Sequence, residues 1–191
     1  MSDSGLLLVM TGPSGVGKSS LVRRVQQELP EVSFSVSCTT RSMRPGEREG
    51  IDYFFVEEKE FRRRLEAGEF LEHATVHGNL YGTILSHVME RVGEGAVLLL
   101  DIDVQGAVQV RAAEVDAFYL FVLPPSFAEL EARLRGRGTD SEEVITRRLS
   151  VARSEMDQAD LFDHQLVNDD LDRASRELVT VIQERRSKAV E

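Results

Sequence analysis

Two kinds of apolar pattern alternate along the chain. Leu6–Met10, Ala96–Leu100 and Phe118–Val122 are apolar at every position, which predicts short strands covered on both faces. Between and after them, apolar residues recur at helical spacing: Leu21, Val25 and Leu29; Ile145, Leu149, Ala152 and Met156; Leu171, Ala174, Leu178 and Ile182. A further helix is expected from about Gly106 to Ala113, and Ser126 with Glu129 forms a capping-box pattern opening another to Arg135. Gln165–Val167 reads as a short strand, with Asn168, Asp169 and Asp170 capping the last helix. Strands alternating with helices predict an α/β fold with a parallel sheet flanked by helices.

The stretch between the first two core strands is patterned differently. Val32–Ser37 alternates apolar and polar residues and predicts a strand; Cys38 to Asp52, polar and containing Pro45-Gly46, predicts a loop. Tyr53–Val56 and Phe70–Val76 are strand-like, and Glu58–Ala67 is a helix with Phe61 and Leu65 on one face, closed by Gly68. A turn follows at residues 77–79, then a helix from Ile84 to Val92. Short strands around one helix suggest a small lobe inserted into the larger domain.

Length and charge narrow the setting. At 191 residues and 41 % hydrophobic content, the chain suits one compact domain with small lobes. It has no apolar run of about 18 residues and no basic leader, so neither a spanning helix nor a signal peptide is expected. Cys38 is the single cysteine, and a cytoplasmic protein is expected, with Cys38 serving local packing. A formal net charge of −10 argues against nucleic-acid or membrane partners. The arginines nonetheless cluster, at Arg41/Arg44/Arg48 and Arg133/Arg135/Arg137/Arg147/Arg148, which suggests a small anionic ligand. His73, His77, His87 and His164 show no zinc-like grouping, and Lys59 with Arg62–Arg64 fits a solvated helix face.

The strongest chemical signal follows the first strand. Gly12-Pro13-Ser14-Gly15-Val16-Gly17-Lys18-Ser19 fits the phosphate-binding loop, Gly-x-x-x-x-Gly-Lys-[Ser/Thr], between a strand and a helix N-terminus. Free backbone N–H groups and the helix dipole favour an anion there. Lys18 can reach the outer phosphates, and the Ser19 hydroxyl can ligate magnesium. Asp101 and Asp103 stand at the carboxyl end of a core strand, the edge where such sheets hold ligands. Asp101 suits organising the metal, directly or through its waters, and either carboxylate could act from one layer behind the ligand. Residues 133–148, with Gly136 and Gly138 as hinges, read as a lid. A GTPase reading of Asp103-Val104-Gln105-Gly106 fails, because Val167-Asn168-Asp169-Asp170 lacks the lysine of the Asn-Lys-x-Asp guanine reader.

Eight stretches, in this order, resemble the guanylate kinase family: Gly12–Ser19, Ser35–Glu47 (containing Thr39-Thr40-Arg41-Ser42-Met43-Arg44-Pro45-Gly46-Glu47), Asp52–Val56, Phe70-Leu71-Glu72, Tyr81-Gly82-Thr83, Asp101–Gly106, Gly136–Thr139 and Val167–Asp170. The resemblance implies a P-loop kinase core (1–34, 84–125 and 160–191), an inserted mixed α/β GMP-binding lobe (35–83) and a short helical lid with its flanking helices (126–159). It implies transfer of the γ-phosphoryl group of ATP to GMP, giving ADP and GDP, within purine metabolism. Magnesium would be the cofactor, held by Ser19 and, through water, Asp101. ATP would lie along Gly12–Ser19, with Arg133, Arg137 and Asn168 assisting. GMP would meet Ser37, Arg41, Arg44, Tyr53, Glu72, Tyr81, Thr83 and Asp103. Lys18, Arg41, Arg137, Arg148 and Asp101 would serve catalysis; Arg135 and Arg147 would be surface charges. The implied state is a monomer or weak homo-oligomer with small-molecule substrates only. The alternatives are a non-catalytic interaction domain of the same fold, or a kinase for another nucleoside monophosphate. Retention of Lys18, Ser19 and Asp101/Asp103 argues against the former.

Overall fold

The computed structural model describes residues 5–76, 78–136, 138 and 140–188. Five strands, β1 (Leu6–Thr11), β2 (Val32–Phe34), β7 (Val97–Asp101), β8 (Phe118–Leu123) and β9 (His164–Val167), form a sheet in the order β2-β7-β1-β8-β9, with every pairing parallel. Side chains alternate across β1. Leu8 and Met10 pack with Leu21, Val22 and Val25 of α1 (Lys18–Glu28), Leu130 and Leu134 of α5 (Phe127–Gly136) and Leu178 of α7 (Leu171–Lys188). Leu7 and Val9 point to the other face, against Val88 of α3 (Leu85–Gly93) and Val110 of α4 (Val104–Ala112). Helices cover both faces, which is why these strands are apolar throughout.

A second sheet, in the order β4-β3-β6-β5, is built from β3 (Cys38–Thr39), β4 (Phe54–Phe55), β5 (Phe70–Val76) and β6 (Asn79–Ile84). Here β3 pairs parallel to β4 and antiparallel to β6, and β5 pairs antiparallel to β6. Helix α2 (Glu58–Glu66) covers it through Phe61, stacked on Phe70 at 4.4 Å between ring centroids. The remaining helix, α6 (Glu142–Met156), follows α5.

Several expectations change in this region. The expected strand Val32–Ser37 is divided: Val32–Phe34 joins the core sheet, and the chain then crosses into the second sheet at Cys38–Thr39, which was expected as loop. Asn79–Ile84, expected as turn and helix start, is a strand because Phe70–Val76 pairs along its length; the helix starts at Leu85. Helix α4 begins two residues before the expected Gly106, where the Asp103 side chain accepts the Gly106 N–H at 2.8 Å. The capping box at Ser126 is half formed: its hydroxyl accepts the Glu129 N–H, while the Glu129 carboxylate pairs with Arg133. Asn168 does not cap α7. Asp170 does, accepting the Arg173 N–H at 2.8 Å.

Candidate active site

The phosphate loop is shaped by what lies behind it. Helix α1 opens on Gly17 at φ 100°, with no side chain capping it among the described residues, which leaves its first-turn N–H groups for a ligand. Gly17 also makes room for Asn168: a Cβ there would stand 2.5 Å from the Asn168 amide nitrogen. That nitrogen donates to the Val16 carbonyl at 2.8 Å. Arg133 reaches the same place from α5, donating to the Asn168 carbonyl at 3.1 Å and to Val16 at 3.4 Å. Asn168 and Arg133, expected beside ATP, thus brace the loop from its buried side. Lys18 folds over the front of the loop, with its ammonium 2.6 Å from the Gly12 carbonyl and 3.7 Å from Asp101.

In front of the loop lies a cleft of about 530 Å³. Its lining brings together Gly12–Gly15, Gly17, Lys18 and Ser19 from the loop, Asp101 at the end of β7, Asp103 at the start of α4, Glu72 and Tyr81 from the second sheet, and Ser37 and Tyr53 just before its strands β3 and β4. Val16, also expected beside ATP, is fully buried. The Asp101 side chain is 28 % exposed, and its partial loss of solvent raises its pKa, opposed by the charge of Lys18.

Glu72 is only 6 % exposed, an uncommon place for a carboxylate. Burial raises its pKa above the usual glutamate range; a hydrogen bond from the Thr83 hydroxyl at 2.5 Å opposes this, and the charge of Asp103 adds to it. Thr83 faces a neighbouring recess that it shares with Ser37 and Tyr53. The rings of Tyr53 and Tyr81 meet edge to face at 5.9 Å.

The arginines divide. Arg41 grips Glu47 with two bonds of 2.7 and 3.1 Å and lies 5.3 Å from the centre of the Tyr53 ring. Glu47, and less strongly Tyr81, hold its pKa above the usual arginine value; Arg41 and the Arg44 N–H in turn lower that of Glu47. Arg44 is exposed near this pair. Neither arginine lines the cleft as it stands. Arg148 is 3.2 Å from Asp140 and also lies outside the cleft lining, while Arg137 falls outside the described residues. Arg135 pairs with Glu131 and Glu142 on the surface, and Arg147 is exposed.

Two acidic residues carry more than the sequence suggested. Glu47 organises the arginine loop. Glu155 of α6 lines the cleft, its pKa raised first by burial, opposed by Lys18, with Asp103 adding to the rise. The signal was available: Glu155 lies seven residues after Arg148, on the same helix face.

Comparison with known proteins agrees with this geometry. A family model described as Guanylate kinase matches residues 4–185. The chain is 51 % identical over 172 residues to a guanylate kinase of Trichormus variabilis, covering 90 % of this chain and 86 % of that one. It is 50 % identical over 183 residues to one of Synechococcus sp., covering 96 % and 98 %. Among solved structures, guanylate kinase from Anaplasma phagocytophilum superimposes with a TM-score of 0.72 at 32 % identity, covering 96 % of this chain and 87 % of that one.

Proposed function

The chain belongs to the guanylate kinase family, and from that premise we propose that it moves the γ-phosphoryl group of ATP onto GMP, giving ADP and GDP. One observation carries the reading: the buried, Thr83-bonded carboxylate of Glu72 opens into the same cleft as the phosphate loop and Lys18. Guanine presents two adjacent donors, N1–H and the N2 amino group, and an ionised carboxylate can accept both. Adenine lacks the amino group and presents an acceptor at N1. It would leave a buried carboxylate unpaired, at a cost of about 1–3 kcal/mol per group.

The roles follow from position. The triphosphate lies along Gly12–Ser19, where Lys18 exchanges its contacts with Gly12 and Asp101 for phosphate oxygens. Ser37, Thr83 and Asp103 join Glu72 around the base, while Tyr53 and Tyr81 with Arg41 and Arg44 take the GMP phosphate. Arg133 and Asn168 serve ATP by holding the loop. Arg137 and Arg148 clamp the phosphates when the lid (126–159) closes over the core and the GMP lobe (35–83).

Magnesium fits the oxygen donors present. The described residues contain no cluster of three acidic, His or Cys ligands, and a cation that keeps its waters and binds substrate phosphates needs no more than Ser19 and Asp101. When bound it neutralises charge between the phosphates. No described helix is long and apolar enough to cross a membrane. The net charge of −10 disfavours binding to nucleic acid or an anionic membrane surface, in keeping with small nucleotides as the ligands.

A coupled assay with ATP, magnesium and each nucleoside monophosphate tests the reading. GMP should be the strongly preferred acceptor, and equal turnover of AMP would overturn the assignment of Glu72.

A further inference from the structure

The strand that carries Glu72 is at the edge of its sheet, where backbone N–H and C=O groups lack a strand partner. At His73, the residue after Glu72, a side chain takes the place of that partner. The Gln109 carbonyl oxygen accepts the His73 N–H at 3.0 Å, and the Gln109 amide donates to the His73 carbonyl at 3.0 Å. The backbone supplies one donor and one acceptor, so this pairing fixes which way the amide points.

Gln109 lies on α4, one turn after Gly106 on the same face. A Cβ at Gly106 would stand 3.1 Å from the Glu72 Oε2, so the helix backbone closes in on that carboxylate oxygen. Thr83 holds the other oxygen at 2.5 Å. The same helix begins at Asp103, whose carboxylate caps it and lines the cleft. One short helix therefore carries Asp103 at its start, abuts the Glu72 carboxylate, and pins the Glu72 strand by its neighbour's backbone.

We infer that Gln109 is a positioning residue for guanine selection: its double hydrogen bond to His73 locks β5 onto α4, so that Glu72 and Asp103 face one base edge in fixed register. The inference rests on Glu72 being the base-reading carboxylate. Without the lock, β5 shifts against α4, which weakens GMP capture and blunts rejection of AMP. The phosphate loop lies on the other side of the cleft and is untouched.

The test is steady-state kinetics with GMP and AMP at saturating ATP, then with ATP varied, for the wild type, Gln109→Leu, Gln109→Glu and Glu72→Gln. Gln109→Leu keeps the bulk and removes both bonds. It should raise KM for GMP about three- to tenfold and lower the GMP/AMP preference by a similar factor, leaving KM for ATP unchanged. Gln109→Glu can accept from His73 but, when ionised, repels its carbonyl. It should match Gln109→Leu at neutral pH and regain preference relative to it as acid protonates the new carboxyl. An unchanged GMP/AMP preference in Gln109→Leu, or GMP and ATP constants that rise together, overturns the inference. If Gln109→Leu does not fold, Gln109→Glu decides alone: wild-type preference at neutral pH overturns it. Glu72→Gln separates the two readings. Unchanged preference there overturns the Glu72 assignment, whereas preference lost there and intact in Gln109→Leu overturns only the role of Gln109.

Discussion

The phosphate loop and the lobe facing it across the cleft rest on very different amounts of buried material. Behind the loop stands the larger core, with Leu8, Met10, Leu21, Val25, Leu130 and Leu178 all excluded from water, and Arg133 and Asn168 fasten the loop to it. The lobe's own core comprises Cys38, Phe61 and Ile84, with Phe54, Val56, Phe70 and Leu80 half-buried around them. Arg41, proposed to take the GMP phosphate, is held outside the cleft lining by Glu47, a partner six positions away in the same loop. Local stability follows local burial. The donor side is therefore set in place before any ligand arrives. The lobe, with less buried material, is the part that can yield, which suits the proposed admission of GMP.

That contrast can be broken at either end. The largest effect should come from Lys18→Ala, which removes the charge proposed to reach the transferring phosphoryl group and should lower kcat about a thousandfold with the fold intact. Near-normal turnover would remove the loop from catalysis. Next, Phe61→Ala should cost about 3–5 kcal/mol within the lobe. GMP-dependent turnover should be lost while calorimetry still detects ATP binding. Simultaneous loss of ATP binding, with core and lobe melting together, would show the two regions to be one cooperative unit.

Arg133→Ala should have a smaller and opposite signature. It frees the Asn168 carbonyl, leaves the Val16 carbonyl to Asn168 alone, and should raise KM for ATP about tenfold with KM for GMP little changed. A GMP-selective defect would contradict the bracing role.

The subtlest test is pH. On the proposed reading GMP capture needs ionised Glu72, so affinity should fall as pH falls through a pKa that burial has raised above the usual glutamate range. Thr83→Val removes a bond that opposes this rise and should move the acid limb of kcat/KM for GMP to higher pH; an unmoved limb would detach Glu72 from that limb. The stability sign is the reverse. Raised values at Glu72, Asp101 and Glu155 contribute stability that is complete at low pH and lost as pH rises through them. Lowered values at Glu47 and Asp169 contribute stability that is lost as pH falls. Mild acidification from neutral pH should therefore firm the cleft and weaken GMP binding together, visible in paired melting and affinity titrations.

Much of this molecule is local and could be read from the chain. The core strands and their helices are legible because each is defined by its own apolar period, and the phosphate loop because its glycines, Lys18 and Ser19 are contiguous. Glu72 stands out through the family resemblance of Phe70-Leu71-Glu72, and a carboxylate on that largely apolar strand is consistent with it. What remained hidden depends on which segments pair across the second sheet. Asn79–Ile84 is a strand only because Phe70–Val76 lies beside it, and Cys38–Thr39 because Gly82 and Tyr81 do.

By itself, then, the sequence determined the alternating α/β order and the anion-binding loop at the start of α1, and through its family resemblance it named the residues proposed to meet the nucleotides. Only the tertiary structure decided that Asn168 reaches Val16, 152 positions away, that Glu155 turns into the cleft beside Lys18 and Asp103, and that Gln109 occupies the open edge beside Glu72. The division has one physical cause. Period and turn chemistry act between neighbours along the chain, whereas a lone amide or carboxylate takes its role from the unpaired group that folding places against it.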